Sequence, residues 1–271
     1  MRRPWRRSPC SDLSDPLLEQ PAPGFTTLHL ESVDSTNALA LEQAGVQVPH
    51  RCWIVADQQH GGRGRHGRSW QSPPGNLYAT LLLIDPCPVR DAPKLGFVAG
   101  LAVADAVAST APGLDARLKW PNDLMARPGP DAPWSKLSGI LLEGRFLEAG
   151  RQAVAIGIGV NIVHGPALPV RQATALAALG ARMGRDALFY ALGAAFAERL
   201  DQFARGKNFA AIRTAWLERA FPSGTGMSVK LPSGEKSGRF AGIDVDGRLA
   251  LDTGAGLVHV DAGDVFLAPE T

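Results

Sequence analysis

Residues 59–70 read Gln59-His60-Gly61-Gly62-Arg63-Gly64-Arg65-His66-Gly67-Arg68-Ser69-Trp70, and no regular element continues through such a stretch. Its four glycines permit positive φ and close backbone approach, and Pro73, Pro74 and Gly75 follow soon enough to stop a helix. The segment is therefore a loop between a short apolar strand expected at residues 53–56 and a longer one at 76–84. Arg63, Arg65 and Arg68 supply permanently charged forked donors, and glycine-rich amides can form a nest around an anion, so phosphate is the ligand that such a loop suits. A solvated turn or a nucleic-acid contact uses the same residue types. No Gly-Lys-Ser/Thr ending is present, which disfavours a P-loop, and no helix follows the glycines as a dinucleotide fingerprint requires.

The remaining pattern alternates strands and helices. Residues 25–33 alternate apolar and polar side chains and read as a strand. Asp34-Ser35-Thr36-Asn37 then leads into an alanine-rich helix over residues 38–44, with Asp34 or Ser35 as its N-cap. Capping alone explains these polar residues, but a strand-to-helix junction also presents them at the rim of a sheet, where ligands collect. A core helix is expected over residues 92–110, from Leu95, Val98, Ala99, Ala102 and Val103 at helical spacing. Residues 116–123 read as a strand stopped by Pro121, with Asn122 and Asp123 at its end.

Residues 136–143 and 152–162 read as paired strands, and Gly157 and Gly159 fall on one face of the second. They leave either a flat wall for a ligand or a simple bend. Residues 172–220 turn helical, most strongly over 187–203. Five short strands are expected at 226–231, 238–245, 248–251, 258–260 and 265–267; Asp246-Gly247 signals a hairpin, and the set suggests a small antiparallel barrel.

The 271 residues fit one large domain and one small one, and the net charge of +2 makes no case for a general nucleic-acid binder. Cys10, Cys52 and Cys87 are too few and too scattered for a disulfide framework or a zinc cluster, which points to a reducing, cytoplasmic setting. No apolar run is expected to reach membrane-spanning length. Residues 1–24 read as a disordered basic tail, because Pro4, Pro9 and early acidic residues spoil a targeting helix.

The arginine loop, Lys119-Trp120-Pro121-Asn122-Asp123, the segment beginning Lys136-Leu137-Ser138-Gly139, and Gly157-Ile158-Gly159-Val160-Asn161 occur in one order. Together with Asp34-Ser35-Thr36-Asn37 they closely resemble the biotin protein ligases, in a short form. The resemblance implies an α+β fold: a class II aminoacyl-tRNA synthetase-like mixed sheet with helices on one side over residues 25–222, then an SH3-like barrel over 223–271. It implies biotin and ATP as substrates, with Mg2+ whose ligands it does not assign, and a biotinyl-5'-AMP intermediate. The biotin then passes to one lysine of a biotin carboxyl carrier domain. By likeness, Lys136, Arg63 and Arg65 are the catalytic cations at the biotin carboxylate and α-phosphate. Ser35, Thr36, Asn37 and Gln59 correspond to positions that recognise the ureido ring. Gly62, Gly64, Gly139, Gly157 and Gly159 complete the biotin site, with Trp120 as a further candidate. Arg65, Arg68, Trp70, Lys119, Asn122, Asp123 and Asn161 fall on the ATP side.

Relatives are often dimers, so a homodimer is possible. Too few residues precede Phe25 for the helix-turn-helix domain of some relatives, so neither DNA nor a membrane is expected as a partner. His66 stands where relatives often have another basic residue, and neither His60 nor His66 has an evident carboxylate partner. Lipoate ligases and octanoyltransferases are the nearest rivals, but their acyl group offers no urea for Ser35, Thr36, Asn37 and Gln59 to match.

Overall fold

A computed structural model describes residues 20–166, 173–231 and 234–268. Seven strands form a mixed sheet: β1 (Thr26–Val33), β2 (Cys52–Gln59), β3 (Leu77–Ile84), β4 (Asp115–Lys119), β5 (Asp123–Arg127), β6 (Ser135–Phe146) and β7 (Gln152–Val160). Their order is β1-β2-β3-β7-β6-β5-β4; only β1 and β2 are parallel. The helices are α1 (Thr36–Glu42), α2 (Leu95–Thr110), α3 (Arg185–Phe203) and α4 (Phe209–Arg219).

Strand alternation divides the sheet into two faces. Trp53, Val55, Leu81, Leu83, Ile156 and Ile158 join the main core with α2, α3 and α4. Trp53 meets Phe189 and Phe196 of α3 edge-on, at centroid separations of 5.7 and 5.5 Å. Ile54, Leu82, Ala153 and Ala155 point the other way and are covered by Ala40 and Ala44, in and just after α1. The expectation of helices on one side alone is thus corrected: the helix expected over residues 38–44 forms as α1, and it covers part of the second face. The small residues at positions 157 and 159 leave the rest of that face hollow.

Several boundaries shift for local reasons. The expected strand at 116–123 is a hairpin, with Trp120-Pro121-Asn122 turning β4 into β5. α2 starts at Leu95 because Pro93 sits in a preceding 3₁₀ segment, Val89–Lys94. Together these 22 residues are long and apolar enough to span a membrane, contrary to expectation, yet the helix lies packed in the core. Of the helical stretch expected from 172, Gln172 lies outside the described residues, and 173–184 hold only a 3₁₀ turn ended by Gly180 at φ 81. The tail expected over 1–24 falls mostly on residues not described, but Pro21 and Ala22 are buried, Pro21 against Gly193 of α3.

β8 (Gly226–Leu231), β9 (Gly234–Ile243), β10 (Leu249–Asp252), β11 (Leu257–Val260) and β12 (Asp264–Leu267) form an antiparallel sheet in the order β11-β10-β9-β8-β12. Its buried side chains, among them Phe240, Leu249 and Val265, join the main core.

Candidate active site

The parallel register of β1 and β2 sets Val33 beside Gln59, so both strands release their chains at the same sheet edge. Ser35 caps α1, its hydroxyl accepting from the Ala38 amide at 3.4 Å. Thr36 donates to Gln59 Oε1 through its amide (2.9 Å) and its hydroxyl (3.0 Å), and Gln59 Nε2 donates to Ser72 Oγ (3.1 Å). The Thr80 hydroxyl on β3 lies 2.7 Å from both Thr36 Oγ1 and Asn37 Oδ1. Asn37 Nδ2 donates to Leu141 O (3.1 Å) and Glu143 Oε2 (2.8 Å). This is a buried polar niche whose members fix one another. Thr80 and Glu143 escaped the sequence reading. A lone threonine within Leu77–Ile84, and a glutamate on the same face as Gly139 and Leu141, were the available signals.

The loop itself is a tight reverse. Arg63 bridges Ser69, Trp70 N donates to Gly62 O at 2.8 Å, and Gly64 N to Arg68 O at 2.7 Å. Gly61 N donates to Asp34 O at 2.7 Å. With the Gly61 and Gly64 amides so used, the expected amide nest is not built from them, and side-chain cations carry the anion chemistry. Of the four glycines only Gly67 has positive φ (70°), and His66 takes φ 57° beside it. Gly62 does not line the hollow; a Cβ there would meet Trp70 O at 2.5 Å, so it serves the loop's own closure.

Below the loop lies a hollow open to solvent. Every other anticipated position except Trp120 reaches it. Ser35, Thr36, Asn37 and Gln59 line one end, and Gly139, Gly157 and Gly159 form the floor. Arg63, Gly64, Arg65, Arg68, Lys119 and Lys136 meet it with Trp70, Asn122, Asp123 and Asn161. Gly139 pairs with Gly159, and Leu141 with Gly157, across β6 and β7. The Trp70 ring rests on that floor, where a Cβ at Gly159 would come within 2.6 Å of it, and its indole N–H is buried without an acceptor among the described residues. Trp120, by contrast, is a core residue, 4% exposed, its Nε1 donating to Gly247 O at 3.1 Å.

Asp123 organises the cations. It stands 2.9 Å from Lys119 Nζ and 2.5 Å from Lys136 Nζ, at the start of β5 where the hairpin turns. Burial alone would push its carboxyl up, but the two ammonium groups outweigh that and hold it well below the usual carboxylate range. Asn122 and Asn161 are tied to backbone, Asn122 Nδ2 donating to Ile140 O (2.7 Å) and Asn161 Nδ2 to Thr174 O (3.0 Å). Both brace the strands that deliver Asp123 and Lys136.

The C-terminal sheet supplies the far wall. Lys119 Nζ donates to Val265 O at 2.8 Å, Arg65 Nη1 to Gly263 O at 3.2 Å, and Arg68 forms a two-pronged pair with Asp264. That pairing raises the Arg68 pKa further. Asp264 also stands 3.8 Å from His66 Nε2, so this histidine does have a carboxylate neighbour, one brought from nearly 200 residues away in sequence and hence invisible there. Among the described residues no group of three or more His, Cys, Asp or Glu side chains is placed to hold a metal ion.

A mixed sheet carrying a hollow rimmed by cations and ending in a polar niche defines a site of the class that binds an anionic substrate. Residues 29–161 match the biotin/lipoate A/B protein ligase family and residues 226–268 the biotin protein ligase C-terminal domain. The chain is 36% identical to the biotin--[acetyl-CoA-carboxylase] ligase of Paracoccus denitrificans, over 88% of this chain and 98% of that protein. With the ligase of the same name from Mycobacterium tuberculosis it shares 35% identity over 85% of each. The biotin protein ligase of Aquifex aeolicus, solved with biotin and ATP, superposes with a TM-score of 0.73 at 26% identity, covering 90% of this chain and 99% of that one. The chain belongs to the biotin protein ligase family: it is a ligase, with biotin and ATP as its substrates.

Proposed function

We propose that the enzyme couples biotin to a lysine of a biotin carboxyl carrier domain in two steps. A carboxylate oxygen of biotin attacks the α-phosphorus of ATP, forming biotinyl-5'-AMP and expelling pyrophosphate. The neutral ε-amine of the acceptor lysine then attacks the acyl carbon, loses a proton and releases AMP, leaving an amide. The observation that carries this reading is the convergence of Arg63, Arg65, Lys119 and Lys136 on one hollow that also contains the Ser35, Thr36, Asn37 and Gln59 niche.

Negative charge grows on the nonbridging α-phosphate oxygens during attack, and preorganised cations aimed there lower the barrier. Lys136 approaches from the sheet, Arg63 and Arg65 from the loop, and Arg68 with Lys119 faces the leaving pyrophosphate. Asp123 holds both lysines in place. At the other end, Ser35 has a hydroxyl proton and Gln59 a second amide N–H for the ureido carbonyl, while Thr36 and Asn37 hold the niche in shape. Gly139, Gly157 and Gly159 admit the apolar ring and chain, with Trp70 packing along them and toward the nucleotide. ATP enters as its Mg2+ complex: Asp123 and Asp264 are the carboxylates of the hollow, both already facing protein cations, which suits an ion held chiefly by substrate phosphates.

The finer fold assignments, a class II synthetase-like sheet and an SH3-like barrel, belong to the same proposal, as does residence in a reducing cytoplasm, which the three widely spaced cysteines support. The test is release of pyrophosphate from MgATP in single turnover. It should require biotin, leave a biotinyl-nucleotide detectable by mass, and fail with lipoate; equal release with lipoate would contradict the reading.

A further inference from the structure

Glu143 does not line the hollow, yet its carboxylate holds two residues that do. On β6 it follows Gly139 and Leu141 on the same face, opposite the small Ala155 of β7. Its Oε2 accepts from Asn37 Nδ2 at 2.8 Å, and Arg63 Nη2 lies 3.1 Å from Oε1 and 3.3 Å from Oε2. A single strand-borne acid therefore ties the niche of α1 to the first arginine of the loop.

Both partners need such a tie. Arg63 is flanked by Gly62 and Gly64, and its side chain is 47% exposed. A long side chain on a glycine-flanked loop samples many positions unless a fixed acceptor restrains it. Asn37 has the complementary need, because its amide can face either way. Donation to Leu141 O and Glu143 Oε2 turns the oxygen toward Thr80 and onto the Gly157 face, where a Cβ would come within 2.4 Å of it. A neutral side chain at 143 could still bond Asn37 but would not hold a guanidinium by charge.

We infer that Glu143 is a positioning residue for the acid substrate, acting through Arg63 and Asn37 without touching the ligand. It fixes the Arg63 guanidinium beside Asn37, at the border between the niche and the loop. The inference rests on the proposed biotin adenylation and concerns the acid substrate only, since the polar partners of Glu143 among the described residues are Asn37 and Arg63.

The test is a double-mutant cycle on biotin binding, read by calorimetry on the full chain with no ATP present, using the parent, Glu143→Gln, Arg63→Ala and the double variant. Glu143→Gln is nearly isosteric, and its thermal unfolding should match the parent's. It should weaken biotin binding about fivefold, leave ATP binding within about twofold, and add less than about twofold once Arg63 is already alanine. Glu143→Ala, which also frees Asn37, should weaken biotin further. An unchanged biotin affinity in Glu143→Gln, or the same fold-loss in both Arg63 backgrounds, would overturn the inference while leaving the reaction intact. A parent that binds no biotin would overturn the reaction as well.

Discussion

Asp123 places one negative charge between two ammonium groups, and much of the site's behaviour follows from that placement. Replacing it with asparagine leaves Lys119 and Lys136 facing each other with no counter-charge, in a position where Asp123 is 5% and Lys119 7% exposed. Loss of one partner from a buried ion pair costs about 3 to 5 kcal/mol, so Asp123→Asn should unfold at clearly lower temperature. The sign of its pH dependence follows from the depressed carboxyl. Its stabilisation is complete above the unfolded value of about 3.9 and fades only as pH falls toward the folded one. Thermal unfolding from about pH 3 to 8 should therefore show parent and Asp123→Asn furthest apart near neutrality and drawing together in acid. Arg65 sits differently, on the loop with a backbone carbonyl of the C-terminal sheet as partner. Arg65→Gly should still form biotinyl-AMP but let it escape into solution, measurable as free intermediate after rapid filtration. Retention equal to the parent's would contradict that role.

Strands β6 and β7 show what pattern alone reveals. Their pairing and the shared face of Gly157 and Gly159 were legible because side-chain alternation is a local rule. What lies on that face was not, since Trp70 arrives from a loop whose path depends on its own closure onto Gly62 and on the Gly61 bond to Asp34. The same limit explains β5: a proline closing an apolar run reads as a stop, and only pairing back onto β4 shows the chain reversing. An added methyl at residue 159 would meet the Trp70 ring at 2.6 Å, so the ring or the strand must move. Gly159→Ala should weaken biotin binding at least about tenfold by calorimetry while costing only about 1 to 3 kcal/mol in stability. Unchanged affinity would mean that the floor is not where the acid lies.

Across the whole molecule, the C-terminal sheet is part of the site and not an appendage. Gly263, Asp264 and Val265 each meet a different cation of the larger sheet or its loop, a convergence that no local motif encodes. The polar niche, the arginine loop and Lys136 could be found in the sequence because each sits in a short recognisable segment. Glu143, Thr80 and Asp264 could not, because their importance lies in partners more than 40 residues away. Asp264→Ala should release Arg68 and weaken ATP binding severalfold, with biotin binding nearly unchanged. The most direct test of the account is the intact mass of a carboxyl-carrier domain after incubation with enzyme, biotin and MgATP. The parent should add one biotinyl group to one lysine. Lys136→Ala, having lost about 3 to 4 kcal/mol of transition-state stabilisation, should add it at least about a hundredfold more slowly. Modification by Lys136→Ala at the parental rate, or none by the parent, would contradict the claim that these cations activate a carboxylate on phosphate.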